Sequence, residues 1–233
     1  MLPQNRLLTL LDQALELQAR QCPFHNAMDS VKQLYQDHKC DKKQLPTKTI
    51  QTLRLHTDEV WFIRYSNDGR KLASASKDHS VLIWNCELHS NIESFNSNDG
   101  SRNLRYQLSH ILTGHTGGVI SLAWSPSDTE LLSCSNDREV RLWNVHSGEC
   151  TRVFKKHVNE VSAVAWLPDG LMFVSAGTDS MIYLWHRDGS ILHTWTGTRV
   201  ADLAIAEDGR RMVTVCHERR IRVYDLHDRS DAE

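Results

Sequence analysis

Two patterns of apolar positions divide the 233-residue chain. Over residues 1–46 they fall at helical spacing. Leu7, Leu8, Leu11, Ala14 and Leu15 form one stripe, with Asp12, Gln13 and Glu16 on the other side. Pro3 sits near the start, where proline is tolerated. Cys22-Pro23 ends the helix, since proline disfavours helical geometry in the residue before it. A second, weaker helical stretch, DSVKQLYQDHK, follows at 29–39, and Pro46 closes the segment. The spacing predicts a helical hairpin whose Leu7/Leu11/Leu15 stripe either packs on its neighbour or docks a partner chain.

From residue 47 onward the texture changes to short strands and turns, and the chain repeats itself. The first register is LHTDEVWFIRYSNDGRKLASASKDHSVLIWN, the second GHTGGVISLAWSPSDTELLSCSNDREVRLWN, and the third KHVNEVSAVAWLPDGLMFVSAGTDSMIYLWH. A fourth, TGTRVADLAIAEDGRRMVTVCHERRIRVYD, keeps the apolar pattern at Val200, Leu203, Ile205, Met212, Val213, Val215, Ile221 and Val223 but loses the polar marks. His56, His115 and His157 each precede a valine by four residues, and Asp78, Asp137 and Asp179 each precede a tryptophan by six. His115 to His157 and Trp143 to Trp185 both span 42 residues, while Trp84 to Trp143 spans 59. The surplus contains NSNDGSRN, which reads as a surface loop. The first strands VWFIRY, VISLAW and VSAVAW are apolar on nearly both faces, which predicts sheets sandwiched between neighbours. SNDGR, SPSDT, LPDGL and AEDGR supply the reversals that follow them.

Within SCSNDREVRLWN, Ser133 and Asp137 with His115 upstream have the composition of a hydrolase triad. A catalytic triad is built once, because one pocket needs one nucleophile and one base. Here the set recurs as His56/Ser74/Asp78/Trp84, His115/Ser133/Asp137/Trp143 and His157/Ser175/Asp179/Trp185. In the fourth register, counting back from Val200 places Thr196 at the histidine position, with Thr214, Glu218 and Tyr224 at the others.

A period near 42, Gly-His or its equivalent, Ser-x-x-x-Asp and a tryptophan closing a strand resemble the WD40 repeat, over about residues 48–225. The terminal dipeptide departs from that pattern: Trp-Asn twice, Trp-His once and Tyr-Asp once. The resemblance implies an all-β β-propeller with repeats at about 53–85, 111–144, 153–186 and 195–225, after a short α-helical segment at 1–46. It also implies that each quartet is a hydrogen-bonded structural tetrad within a blade, with catalytic residues nowhere. A seven-bladed ring needs about 300 residues at this period and about 180 are present, so the expectation is an incomplete propeller of a longer parent. KTIQTLRL, 48–55, stands where a closing outer strand would: it either completes the fourth blade or awaits blades not in this chain.

LPQNRLLTLLDQALELQ, CPFHN, DHKC and LPTKTIQTL lead into DEVWFIRYSNDGRKLASASKDHSVLIW, and DGSILHTWTGTRVADL is followed by RIRVYDL. These stretches resemble the WD40 subunit of GID/CTLH-type E3 ubiquitin ligases, in which a propeller follows a LisH–CTLH–CRA region. The likeness reads residues 1–46 as the end of a CRA-like region, with no LisH or CTLH region before Pro3. It implies a non-catalytic scaffold that supports assembly and presents substrates for proteasomal degradation. Its partners would be ligase subunits and protein substrates, in an oligomeric assembly in the cytoplasm, the nucleus or both. A generic WD40 adaptor in signalling or chromatin complexes is the alternative.

Such repeats expose on one rim the loop before the first strand and the turn around the aspartate. The candidates there are Thr57, Asp58 and Glu59; Lys77 and His79; Thr116; Asn136 and Arg138; Asn159 and Glu160; and Thr178. Each is either a partner contact or a solvated loop side chain. Arg219, Arg220 and Arg222 could meet an acidic partner or simply end a solvated strand.

Charge adds little pull: 27 Lys and Arg against 29 Asp and Glu give a net −2. Neither nucleic acid nor an anionic membrane is implied as a partner. No window approaches the roughly 18 apolar residues of a membrane span, and Asp12 and Glu16 interrupt any signal-like core. Cys22, Cys40, Cys86, Cys134, Cys150 and Cys216 are scattered without a C-x-x-C pair. Neither a zinc site nor any other metal or cofactor is expected, and a reducing compartment is.

Overall fold

The computed structural model describes residues 51–88 and 104–226, together with residues 13, 14 and 49. The chain divides into two compact units, Met1–Thr52 and Leu53–Glu233. The helical hairpin at 1–46 and its Leu7/Leu11/Leu15 stripe lie outside the described residues, apart from Gln13 and Ala14, which are helical.

The second unit is built from antiparallel sheets. β1 (Val60–Tyr65), β2 (Lys71–Ser76), β3 (Val81–Leu88) and β4 (Leu104–Leu112) form the first, in that spatial order. β5 (Val119–Trp124), β6 (Glu130–Ser135), β7 (Glu139–Asn144) and β8 (Cys150–Lys155) form the second. β9 (Val161–Trp166), β10 (Met172–Gly177), β11 (Met181–His186) and β12 (Ile191–Thr196) form the third. β13 (Val200–Ile205), β14 (Arg211–Cys216) and β15 (Arg220–Asp225) form the fourth, which has three strands. Each sheet is one blade of a WD40-type β-propeller. β4, β8 and β12 each complete one blade and then run on into the first strand of the next.

The strand periodicity explains why blades stack. Alternate side chains of the second and third strands point to one face, and in each blade these are apolar. Ala73, Ala75, Val81 and Ile83 of the first blade are buried against Val119, Leu122 and Trp124 of the second. Leu132, Cys134, Val140 and Leu142 meet Val161, Val164 and Trp166 of the third, and Val174, Ala176, Ile182 and Leu184 meet Val200 and Leu203 of the fourth. The same register of four residues thus builds three successive cores.

A β-bulge opens every first strand, after Val60, Val119, Val161 and Val200. It turns one residue out of the alternation, namely Trp61, Ile120, Ser162 and Ala201. The turns after those strands place Gly69, Gly170 and Gly209 at φ +69°, +66° and +68°, and Asp128 at φ 57° in the second blade. Asp128 holds that left-handed conformation while accepting from the amides of Asn67 and Asp68 in the first blade, both at 2.9 Å. Indole N–H groups cross the joints as well: Trp124 donates to the Arg64 carbonyl at 3.0 Å and Trp166 to the Ala123 carbonyl at 3.2 Å.

One expectation is corrected. β5 and β9 are sandwiched between blades, but β1 is not: Val60, Trp61, Ile63 and Tyr65 are all exposed, because no described residue covers that side of the first blade. Of the two alternatives for residues 48–55, completion of the fourth blade is not what is seen: residues 51–55, the described part, are in no strand and do not join the fourth sheet.

Candidate interaction rim and the buried tetrads beneath it

Three of the four blades carry the same side-chain network. In the second blade, His115 Nδ1 lies 2.7 Å from Asp137 Oδ2 and His115 Nε2 lies 2.7 Å from Ser133 Oγ. The Trp143 indole N–H donates to Ser133 Oγ at 2.8 Å, and the Thr116 amide donates to Asp137 Oδ2 at 2.9 Å. In the third blade His157 reaches Asp179 and Ser175 at 2.8 Å each, and Trp185 donates to Ser175 at 2.8 Å. In the first, His56 reaches Asp78 at 2.9 Å and Ser74 at 2.8 Å, and Trp84 donates to Ser74 at 3.1 Å. The second oxygen of each aspartate caps the turn into the third strand, accepting the amides of Ser80, Glu139 and Met181.

The protonation states follow from this geometry. An ionised carboxylate only accepts, so each histidine presents Nδ1–H to its aspartate. In the neutral ring Nε2 is then bare and accepts a hydrogen bond from the serine hydroxyl, while the serine oxygen accepts the indole N–H. Every side-chain polar group of the three tetrads is then matched. Burial pushes the Asp137 carboxyl up, but the hydrogen bond from His115, with those from the Thr116 and Glu139 amides, outweighs it and holds the group at about 2. Burial also opposes ionisation of Asp78, yet Ser80, the Thr57 amide and His56 together keep it well below the usual carboxylate range. Burial lowers His157 against the pull of Asp179, favouring the neutral ring.

A nucleophilic serine needs access to its substrate and a lone pair free to attack. Ser133 and Ser175 are fully buried, and each oxygen already holds an indole N–H. The arrangement ties together the entering loop, the second strand, the turn and the third strand of one blade. It is a device for register and rigidity, with the distances of a triad and none of its accessibility.

The fourth blade departs from the rest, and the structure moves one residue. Gly114, just before His115, lies against Arg141 and Trp143, and Gly197 lies in the same way against Arg222 and Tyr224. Thr198, which follows Gly197, therefore takes the histidine position, rather than Thr196, the last residue of β12. The loop into β13 is two residues shorter than its counterparts, so counting back from Val200 overshoots. Thr198 Oγ1 is buried with no hydrogen-bond partner, Thr214 Oγ1 meets only the Cys216 sulfur at 3.8 Å, and Glu218 is exposed. Arg222 donates to the Tyr224 hydroxyl, which raises its pKa above the ordinary guanidinium value.

Above the tetrads lies the rim. Thr57, Asp58, Glu59, Lys77, His79, Thr116, Arg138, Asn159 and Glu160 are exposed there, with Asn136 and Thr178 half-buried. Asp58 and Lys77 lie 3.7 Å apart, both about half exposed. His79, Arg138 and Arg219 share one more property: each follows the turn acid and sits at φ 69°, 72° and 61°, a left-handed position unusual outside glycine. Arg219 and Arg220 are exposed and Arg222 is half-buried. Sequence reasoning did not single out Trp61, which it read only as part of the first strand VWFIRY. The bulge turns Trp61 onto the rim, where its indole N–H donates to Glu59 at 3.1 Å and its ring lies so close to Gly118 that a Cβ there would meet it at 2.7 Å. At the opposite end of the strands, a cavity of about 350 Å³ opens between Arg64, Trp124, Pro126, Trp166, Pro168 and Glu207.

Among the described residues there is no group of three metal-ligating side chains, and no helix is long and apolar enough to cross a membrane. Cys86, Cys134, Cys150 and Cys216 are unbridged, and burial raises the Cys134 thiol far above its usual value.

Comparison with known proteins places this architecture. Residues 25–225 match the CAF1B/HIR1 beta-propeller domain. The chain is 37% identical over 227 residues to a WD repeat-containing protein 26 homolog of Arabidopsis thaliana, covering 96% of this chain and 36% of that protein. It is 38% identical over 227 residues to GID complex subunit 7 of Schizosaccharomyces pombe, covering 97% of this chain and 41% of that protein. It is 35% identical over 113 residues to Protein HIRA of Zea mays, covering 48% of this chain and 11% of that one. The chain spans less than half the length of each of these relatives. Four repeating blades, three tetrads and a family match across most of the sequence lead to one statement: the chain belongs to the WD40 β-propeller family, in its CAF1B/HIR1 domain branch.

Proposed function

We propose that this chain acts as a non-catalytic scaffold in a GID/CTLH-type E3 ubiquitin ligase, helping to assemble the complex and to present substrates for degradation. The likeness to GID complex subunit 7, running over 97% of the chain, carries this reading. The geometry supports it from the other side. The groups that could do chemistry are buried in tetrads, while Asp58, Glu59, Trp61, Lys77 and Arg138 form a mixed-charge rim with an aromatic anchor, the kind of surface that binds proteins. No cofactor enters this role, and its place is the cytoplasm, the nucleus or both.

The test is a tagged pull-down of the chain from cytosol, read by mass spectrometry beside a Trp61→Ala, Glu59→Lys double variant. The reading requires RING-bearing ligase subunits with the parent chain. Recovery of chaperones alone would sink it. A second reading, an adaptor in a chromatin complex, is favoured by the family match and the partial likeness to Protein HIRA. Recovery of histone-binding subunits in place of ligase subunits would select it.

A further inference from the structure

The cavity of about 350 Å³ lies at the end of the strands opposite the rim, and its walls are set by joints that the chain closes within itself. Arg64, Ala123 and Ala165 occupy one place in successive first strands, paired with Ala73, Leu132 and Val174 of the second strands. Residues paired across an antiparallel sheet share a face. Ala73 is buried in the core that includes Trp124 of the second blade, and Ala123 in the core that includes Trp166 of the third. Arg64 therefore leaves β1 on the face that the second blade covers. One arginine enters a cavity whose equivalent positions, Ala123, Ala165 and Ala204, are small.

The turns that follow are braced across each joint. Pro126 lies 3.6 Å from the place a Cβ would take on Gly170, and Pro168 lies 3.3 Å from the same place on Gly209. In the first blade Asn67 donates its side-chain amide to the Ser125 carbonyl and to Asp128, both at 2.8 Å. Two prolines and a bonded asparagine make a wall that receives a ligand without rearranging. The indole N–H groups of Trp124 and Trp166 are bonded to the Arg64 and Ala123 carbonyls, so these rings offer carbon to the cavity. Charge remains at two ends, Arg64 in the first blade and Glu207 in the fourth, both exposed.

We propose that this cavity binds a monocarboxylate with an apolar body, the carboxylate on the Arg64 guanidinium and the body between the tryptophans and prolines. The volume is at the small end of the roughly 300–1,000 Å³ that ligand pockets span. A guanidinium offers a carboxylate two parallel N–H groups, a strong and directional pairing. Glu207 sets the orientation, because it repels a second anionic group at the far wall. Free aromatic acids and the C-terminal residue of a peptide both carry this chemistry. Either one binds at the end of the strands away from the rim, so this site stands or falls separately from the scaffold role.

The experiment is calorimetric titration of the 233-residue chain, followed in parallel by the indole N–H resonances. The probes are phenylacetate, phenylacetamide, phenylsuccinate and a blocked tetrapeptide ending in leucine, the last as free acid and as amide. The acids are expected to bind and the amides are not. Phenylsuccinate should bind more weakly than phenylacetate, and Glu207→Gln should remove that difference. Arg64→Gln should weaken the acids by about tenfold or more, with part of the loss restored in Arg64→Lys. Lys77→Gln on the rim should change nothing. Arg64 and Glu207 are exposed, and circular dichroism checks that each variant folds. The tighter of phenylacetate and the peptide acid names the source, a free acid or a chain terminus. Acids and amides that bind alike, acids that change neither the heat nor the indole resonances, or an Arg64→Gln variant with unchanged affinity would each overturn the proposal.

Discussion

The second and fourth blades share the plan of their first three strands and differ in cohesion. In the second blade, Ser133, Asp137, His115 and Trp143 form a closed network under 3 Å in every link, and the sheet is covered on both faces. In the fourth blade, threonine, threonine, glutamate and tyrosine stand in those places, a buried hydroxyl is unmatched, and one apolar face is open. The apolar alternation is enough to make a blade. The network and the neighbour are what make it tight, since a buried polar group stabilises only when all its partners are present.

The largest break comes from the tetrad tryptophan. Trp143→Ala removes a fully buried indole that also packs in the core shared with the first blade, and is expected to cost about 3–5 kcal/mol in urea unfolding. Tyr224→Ala in the fourth blade should cost clearly less, and equal losses would contradict the ranking. Ser133→Ala leaves the indole N–H and the His115 ring unpaired, at a cost of about 1–3 kcal/mol. Thr214→Val, which leaves no network broken, should stay under about 1 kcal/mol.

Acid should act on the tetrads in the same sense. Asp137 has its folded pKa lowered to about 2 from 3.8, so the unfolded chain takes up the proton first. Its contribution of about 2 kcal/mol is present above pH 4 and is lost as pH falls towards 2. The lowered His157 adds a loss that begins as pH drops below about 6.5. Thermal melts from pH 7 to pH 2 should fall in those two windows, and Asp137→Asn should flatten the lower one.

Installing the missing network sharpens the contrast from the opposite side. Thr198→His, Thr214→Ser, Glu218→Asp and Tyr224→Trp together should slow amide exchange in β13 to β15, by about 1 kcal/mol per bond restored. No slowing, or slowing with histidine placed at 196 instead, would count against the assignment of Thr198. Smallest of all is Arg138→Gly, which relieves a left-handed turn residue and should raise stability by about 0.5 kcal/mol, seen as a slight rise in Tm.

Much of this was legible in the residues. The 42-residue period, the recurrence of histidine, serine, aspartate and tryptophan, and the alternating strands are local or strictly repeated features, so they announce blades and networks without coordinates. The error at Thr196 came from a loop shortened by two residues, which spacing alone could not assign to one side of the histidine position or the other. Trp61 was passed over because a bulge shifts one residue out of the alternation, and bulges leave little trace in composition.

By itself the sequence determined the kind of unit, its number and the polar groups that lock three of the units, because these depend on period and on chemical pairing within about thirty residues. The tertiary structure decided which apolar faces are buried and which are open. Val140 and Ile221 look alike in the chain, yet one is sealed and the other 72% exposed. The physical reason is that burial belongs to a joint between two blades, and a residue carries only its own half.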